Sequence, residues 1–362
     1  MIARRISPHP LLLVTVVVAT LVASRSADAE TKMVRATFDG QTVTGLPMTA
    51  SPGKFVLLGR DGQIWNVDRR TAKVRKTTSP FSPLEIGAMR ELLAREFGRQ
   101  YEITGTAHYL VVHPQGQRDR WANRFEALYR EFVHYFSRRG FTPHRPRFPL
   151  VAVVFKDKAE YQRHALADTG TAAANWLGYY SNGSNRIYMY DVGKSHHPLF
   201  ENATTLIHEA THQTAFNTGI HSRYSPTPRW LTEGLAMMFE ARGVWNSRGF
   251  TSRTERINVG RLAAFKRYAA SGRAAGTLAE LIASDRPFSS RSADAYAESW
   301  ALVFFLVETQ PRKFSTYLAK TTSRPAFRLY SSQARMADFT AAMGANLSLL
   351  EAQFLRFISK LK

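Results

Sequence analysis

The chain of 362 residues contains no cysteine. That excludes disulfide staples, thiol nucleophiles and cysteine-ligated zinc together. Acid is scarce relative to base: 28 Asp and Glu face 49 Lys and Arg, a formal charge of +21. Long apolar runs are also missing. "LLLVTVVVATLVA", residues 11–23, has only 13 residues, short of the ~20 that a membrane-spanning helix needs. No fixed-period repeat or low-complexity block appears. No RNP, zinc-finger or helix-turn-helix pattern accompanies the positive charge, so no specific nucleic-acid partner is expected.

What is present at the N-terminus reads as an export signal. Arg4 and Arg5 precede the apolar run, and Ala27-Asp28-Ala29 forms an A-x-A site. The expectation is a signal peptide over residues 1–29, cleaved after Ala29, and a periplasmic or extracellular protein. Arg4, Arg5, Arg25 and Asp28 leave with it, so the remainder carries +19. Such a charge favours adhesion to anionic cell-envelope polymers. A disulfide-free exported chain must rely on its core, and 44% hydrophobic residues with 23 Phe, 14 Tyr and 6 Trp supply one.

Residues 30–78 read as a small β-rich module. "MVRATFDGQTVTGLPM" and "FVLLGRDGQIWNVD" alternate in polarity around Asp39-Gly40 and Asp61-Gly62, which are hairpin turn signals. The basic stretch "RRTAKVRKTTSPFSP" reads as a linker to a larger domain over 79–362. There, Ile86, Met89, Leu92, Leu93 and Phe97 have helical spacing, as do Trp121, Phe125, Leu128, Phe132 and Phe136, with Gly140 closing that helix. "YEITGTAHYLVVHP" reads as one strand, "FPLVAVVF" as a buried strand, and "GYYSNGSNRIYMYDV" as a hairpin. In that hairpin Asn185 and Arg186 read as turn and surface groups, and its edge could receive a peptide in extended form. Helical patterns dominate after residue 200. Strands first and helices later give an α+β class.

The chemistry concentrates in "TTLIHEATHQTAFN", residues 204–217. His208 and His212, at i and i+4, lie one turn apart on one helical face. Two imidazoles so placed can meet one zinc ion. Glu209 lies about 100° round the helix, where it can reach a zinc-activated water as general base without entering the first shell. Asn202 is the expected N-cap, with Glu201 beside the positive helix end.

Zinc still needs a third protein ligand. The H-E-x-x-H-x-x-G-x-x-H form fails, because Ala215 and Thr218 stand at the Gly and His positions. Downstream, "SPTPRWLTEGLAMMFEARG" offers Glu233, in a helix whose Leu231, Leu235, Met238 and Phe239 would face the core. A Glu inside an apolar face is costly to bury unless paired or metal-bound. Gly234 would let two helices approach closely, and Glu240 is the rival ligand. Tyr296, opening the apolar helix of "SADAYAESWALVFFLVE", is the candidate donor to the oxyanion, with His221 and Tyr224 as alternatives.

"HEATH" followed by "RWLTEGLA" resembles the gluzincin branch of the zinc metallopeptidases. "LGYYSNGSNRIYMYD", "TTLIHEATHQ", "RWLTEGLA" and "AYAESWALVFFL", in that order, resemble the DUF1570 family of the peptidase MA superfamily, and "FGRQYEITGTAHYLVVHP" is similar to its upstream part. The resemblance covers roughly residues 80–320. It implies a zincin-like fold and zinc-dependent hydrolysis of a peptide or protein substrate. By position, it implies His208, His212 and Glu233 as zinc ligands, Glu209 as base, and a Tyr or His donor from a later helix. Two other activities are consistent with the motifs: a non-catalytic cell-wall-binding protein, and a zinc amidase acting on cell-wall peptides.

Overall fold

A computed structural model describes residues 32–51, 53–170, 173–192 and 198–362. The signal-peptide expectation for residues 1–29 lies outside the described residues. The first sheet contains β1 (Lys32–Phe38), β2 (Gln41–Ser51), β3 (Lys54–Gly59), β4 (Ile64–Asp68) and β5 (Lys73–Pro80), in the order β4-β3-β2-β1-β5. All its pairings are antiparallel. Asp39 and Gly40 both have positive φ, 46° and 74°, the conformation that a two-residue type I′ turn needs. The expected linker is instead β5, paired with β1 from Val74↔Ala36 to Lys76↔Val34. It is exposed along nearly its whole length, so an edge strand held by backbone hydrogen bonds shows no apolar alternation in its sequence.

The chain continues through α1 (Ile86–Phe97), β6 (Tyr101–Gly105), β7 (Tyr109–Pro114), α2 (Arg118–Ser137), β8 (Leu150–Phe155), α3 (Lys158–Thr169), β9 (Gly178–Ser181), β10 (Arg186–Tyr190) and α4 (Pro198–Asn217). The second sheet has the order β6-β7-β8-β10-β9; β7, β8 and β10 run parallel, and the two edges are antiparallel. The segment read as one strand is thus the β6–β7 hairpin, turning at Thr106–His108, residues without an Asn-Gly or Asp-Gly signal.

Alternation along these strands serves two cores. Leu110, Val112, Val151, Val153 and Tyr188 meet Met89 and Leu93 of α1 and Tyr161 and Ala165 of α3. Tyr109, Val111, Ala152, Val154, Ile187 and Met189 meet Trp121 and Phe125 of α2 and Leu206 and Ala210 of α4. Helices on both faces explain why β8 is buried throughout. Ile86, assigned to the core face of α1, is instead 44% exposed; burial of α1 begins at Met89.

The remaining chain is helical: α5 (Arg229–Phe239), α6 (Arg242–Trp245), α7 (Val259–Ala270), α8 (Thr277–Ala283), α9 (Pro287–Ser290), α10 (Ser292–Thr309), α11 (Pro311–Thr322), α12 (Ser332–Met343) and α13 (Leu347–Ser359). Their shared core surrounds α10, whose residues from Ala297 to Val307 are all buried. The class is α+β. No helix among the described residues is long and apolar enough to cross a membrane.

The first sheet packs on this body through Met33, Leu46 and Leu58, which meet Phe81, Phe148 and Tyr224. Its β3–β4 turn touches the β9–β10 turn: Ile64 N donates to Gly183 O at 2.8 Å, and buried Arg223 donates through Nη2 to both Gly62 O and Asn182 O.

Candidate metal centre

Helix α4 begins at Pro198, four residues before Asn202. Asn202 is therefore not its cap; a proline, with φ already helical and no N–H to satisfy, suits the first turn better. From there α4 carries two functional stripes. His208 and His212 face α5. Glu209, Gln213 and Asn217, spaced four apart, face the β9–β10 hairpin.

The loop after α4 turns at Gly219 (φ 83°) and returns the chain as α5. Trp230, Leu231, Leu235, Met238 and Phe239 are buried, which leaves Glu233 turned toward α4. Gly234 lies where α5 crosses α10. An added Cβ there would fall on the Ser299 carbonyl and come within 2.6 Å of Val303 Cγ2, so glycine permits the close crossing.

The three expected ligands converge. His208 Nε2 and His212 Nε2 are 3.1 Å apart, and Glu233 Oε2 is 3.4 Å from the first and 3.8 Å from the second. Atoms placed tetrahedrally at zinc distances stand about 3.3–3.5 Å apart. A donor set of two imidazoles and one carboxylate therefore fits zinc here, and His208, His212 and Glu233 are the group among the described residues with metal-site geometry.

Glu240, the rival ligand, has a different place. Its Oε1 is 2.8 Å from His208 Nδ1, the nitrogen opposite the ligand atom. Its Oε2 accepts from Asn258 Nδ2 at 2.8 Å, and Asn258 also caps α7. A carboxylate behind a ligating histidine fixes its tautomer and ring orientation.

Electrostatics follow from this geometry. Burial disfavours the charged form of His208, yet the hydrogen bonds it donates to Glu233 and Glu240 outweigh this and raise its pKa well above 6.5. Burial alone would raise Glu233, but His208 and His212 hold it far below the usual carboxylate range. Burial raises the pKa of Glu209; the charges of His208 and His212 oppose this, and Glu233 adds to it. Glu209 Oε2 accepts from Tyr180 N at 2.7 Å, on the free side of edge strand β9. A carboxylate fixed this way, with its pKa raised, has the character of a general base.

Beneath Glu209 lies a buried polar network. Gln213 Nε2 donates to Val151 O and Asn185 O; Asn217 Nδ2 donates to Asn185 Oδ1 at 2.7 Å, and Asn185 Nδ2 returns a bond to Asn217 Oδ1. Asn185 and Arg186 are thus not surface groups. They are 2% and 5% exposed, and Arg186 pairs with Glu96 at 2.7 Å. Asn185 has φ 62°, tolerated by asparagine better than by most residues. Its amide is turned inward, where Asn217 of α4 exchanges two bonds with it and Tyr180 Oη of β9 donates to its Oδ1 at 2.8 Å.

Of the three oxyanion-donor candidates, Tyr296 is the one linked to a candidate ligand. It is half-buried near the start of α10, edge-on to Phe288 at 5.2 Å. Its hydroxyl accepts from Arg229 Nη2 at 2.7 Å, and Arg229 Nε lies 3.9 Å from Glu233 Oε1. His221 is fully buried with neither ring nitrogen hydrogen-bonded. Burial, with a contribution from His212, pushes its pKa down to about 3. Tyr224 packs against Phe327 and the first sheet. Sequence reasoning missed Arg229, Gln213, Asn217 and Asn258. The i+4 series 209–213–217, and Arg229 four residues before Glu233, are the signals that could have found the first three; Asn258 has no such signal.

Residues 202–328 match the family model described as "Protein of unknown function (DUF1570)", which identifies this stretch as a DUF1570 region. It contains His208, Glu209, His212, Glu233 and Tyr296. No curated protein matches the chain. Among solved structures the chain is similar to a mutant M1 zinc metallopeptidase from Deinococcus radiodurans, with 14% identity and a TM-score of 0.37. The similarity covers 91% of this chain and 62% of that one, so the chain spans less than two thirds of that enzyme's length.

Proposed function

We propose that this protein is a zinc-dependent peptidase. The observation that carries the reading is the convergence of His208 Nε2, His212 Nε2 and Glu233 Oε2 on one point, with Glu209 held beside it by Tyr180 N. When bound, zinc would supply Lewis acidity that makes water a nucleophile at neutral pH and polarises the scissile carbonyl. Glu209 accepts the proton of the attacking water and returns it to the leaving amine. Tyr296 donates to the developing oxyanion; Arg229 occupies its oxygen's acceptor site and leaves the hydroxyl proton free to point outward. A substrate strand aligned with β9 would place its amide along the base. The proposal of export rests on the basic and apolar N-terminal segment and the absence of cysteine.

The test compares purified wild type with Glu209→Gln by metal analysis and by cleavage of peptide libraries and peptidoglycan fragments. About one zinc per chain is expected in both proteins. Hydrolysis falls by about 10²-fold or more in the variant. Absence of stoichiometric zinc from the wild type ends the reading. Cleavage of peptidoglycan fragments alone replaces it with a cell-wall amidase.

A further inference from the structure

Two guanidinium groups flank Tyr296 at the rim of the metal centre. Arg229 Cζ lies 5.6 Å from the Tyr296 ring centroid and Arg261 Cζ 5.9 Å from it. Arg229 Cζ also lies 4.7 Å from the Phe288 ring centroid. Its side chain is 41% exposed, so solvent and ligands reach it.

Nearby acids do not neutralise the pair. Glu233 is 3.9 Å from Arg229 Nε, but its carboxylate belongs to the metal group. Asp285 accepts from the Arg229 backbone N–H and pairs its side chain with Arg335. Arg261 forms no ion pair among the described residues; its backbone N–H only caps α7 on Asn258. Two positive charges therefore meet at one aromatic ring beside the ligands. Elsewhere in the interior, Arg273 and Arg291 converge on buried Glu298; of the rim pair only Arg229 has an acid in range, Glu233 at 3.9 Å.

Planar guanidinium groups select carboxylates by paired, charge-assisted hydrogen bonds. We propose that Arg229 and Arg261 form a carboxylate subsite, so that the substrate is a peptide carrying a carboxylate beside the bond that is cut. This rests on the peptidase reading of the same centre. The carboxylate comes either from a free C-terminus or from an Asp or Glu side chain.

The test uses the zinc-loaded full-length chain and matched quenched-peptide sets containing Asp, Asn or Lys, each with free or amidated C-termini. The readout is the ratio of kcat/KM between carboxylate-bearing and neutral peptides. In the wild type this ratio is about 10 or more, as for a hydrogen bond to a charged group. Arg261→Gln lowers the ratio toward one, and Arg261→Glu turns the preference toward Lys peptides. Structural damage would lower all rates together and leave the ratio intact. Loss of selectivity on amidation identifies the terminus as the source; loss on Asp→Asn replacement identifies the side chain. A ratio near one in the wild type, or a ratio unaltered in Arg261→Glu, overturns the proposal.

Calorimetry separates this proposal from the reading beneath it. Carboxylate peptides are expected to bind zinc-loaded Glu209→Gln about tenfold more tightly than Glu209→Gln/Arg261→Glu. That difference without hydrolysis by the wild type would sink the peptidase reading and keep the subsite. Equal binding with active hydrolysis would do the opposite.

Discussion

His208 Nδ1 and Glu240 Oε1 stand 2.8 Å apart, so the carboxylate that reads as the rival ligand in the sequence sits behind the candidate ligand His208 in the fold. With Nδ1 engaged, Nε2 faces His212 and Glu233. Replacing Glu240 with Gln keeps the volume and weakens this anchor. Zinc affinity is expected to fall about 10- to 100-fold, measured by competition with a chromogenic chelator. An unaltered affinity would show that Glu240 does not orient the ring.

Gly234→Ala would place a methyl group against the Ser299 carbonyl and Val303. Helix α5 must then move off α10. A loss of about 1–3 kcal/mol in denaturant unfolding is expected, together with weaker zinc binding, because Glu233 precedes the displaced residue. Wild-type stability in this variant would mean that the helices have slack at the crossing.

Asn217→Ala removes the acceptor of the buried Asn185 Nδ2, while Asn185 Oδ1 keeps its bond from Tyr180 Oη; alanine also favours the helix locally. The stranded amide costs about 1–3 kcal/mol. Hydrolysis is also expected to decline, since the same hairpin presents Tyr180 N to Glu209. Urea unfolding and peptide cleavage read the two effects separately, and a neutral outcome in both would remove the network from any positioning role.

Burial keeps His221 neutral in the folded chain down to about pH 3, whereas the unfolded chain takes up that proton near its ordinary value of 6.5. Stability from this site is therefore intact above 6.5 and is lost as the pH falls below it. His221→Leu removes the titration. Between about pH 7 and about pH 5, the stability advantage of wild type over the variant should shrink by roughly 2 kcal/mol. Parallel stability curves for the two proteins would count against it.

The ligand set was legible in the chain because its geometry is local. Helical spacing alone puts His208 and His212 on one face, and the apolar positions around Glu233 leave that acid a single inward direction. The buried strand β8, the face of α2 and the Asp39-Gly40 hairpin were legible for the same reason: periodicity and turn chemistry act over a few residues. Tertiary structure decided what depends on distant partners. β5 is a strand because β1 supplies its hydrogen bonds, not because its own residues alternate. Asn185 and Arg186 are buried because Asn217 and Glu96 wait for them. Glu240 and Glu233 are both acids on one stretch of chain, and only the approach of α4 and α7 sends one to the metal side of His208 and the other to its back. The sequence by itself determined which residues could bind a metal; the packing of α4, α5 and α10 determined which atoms meet.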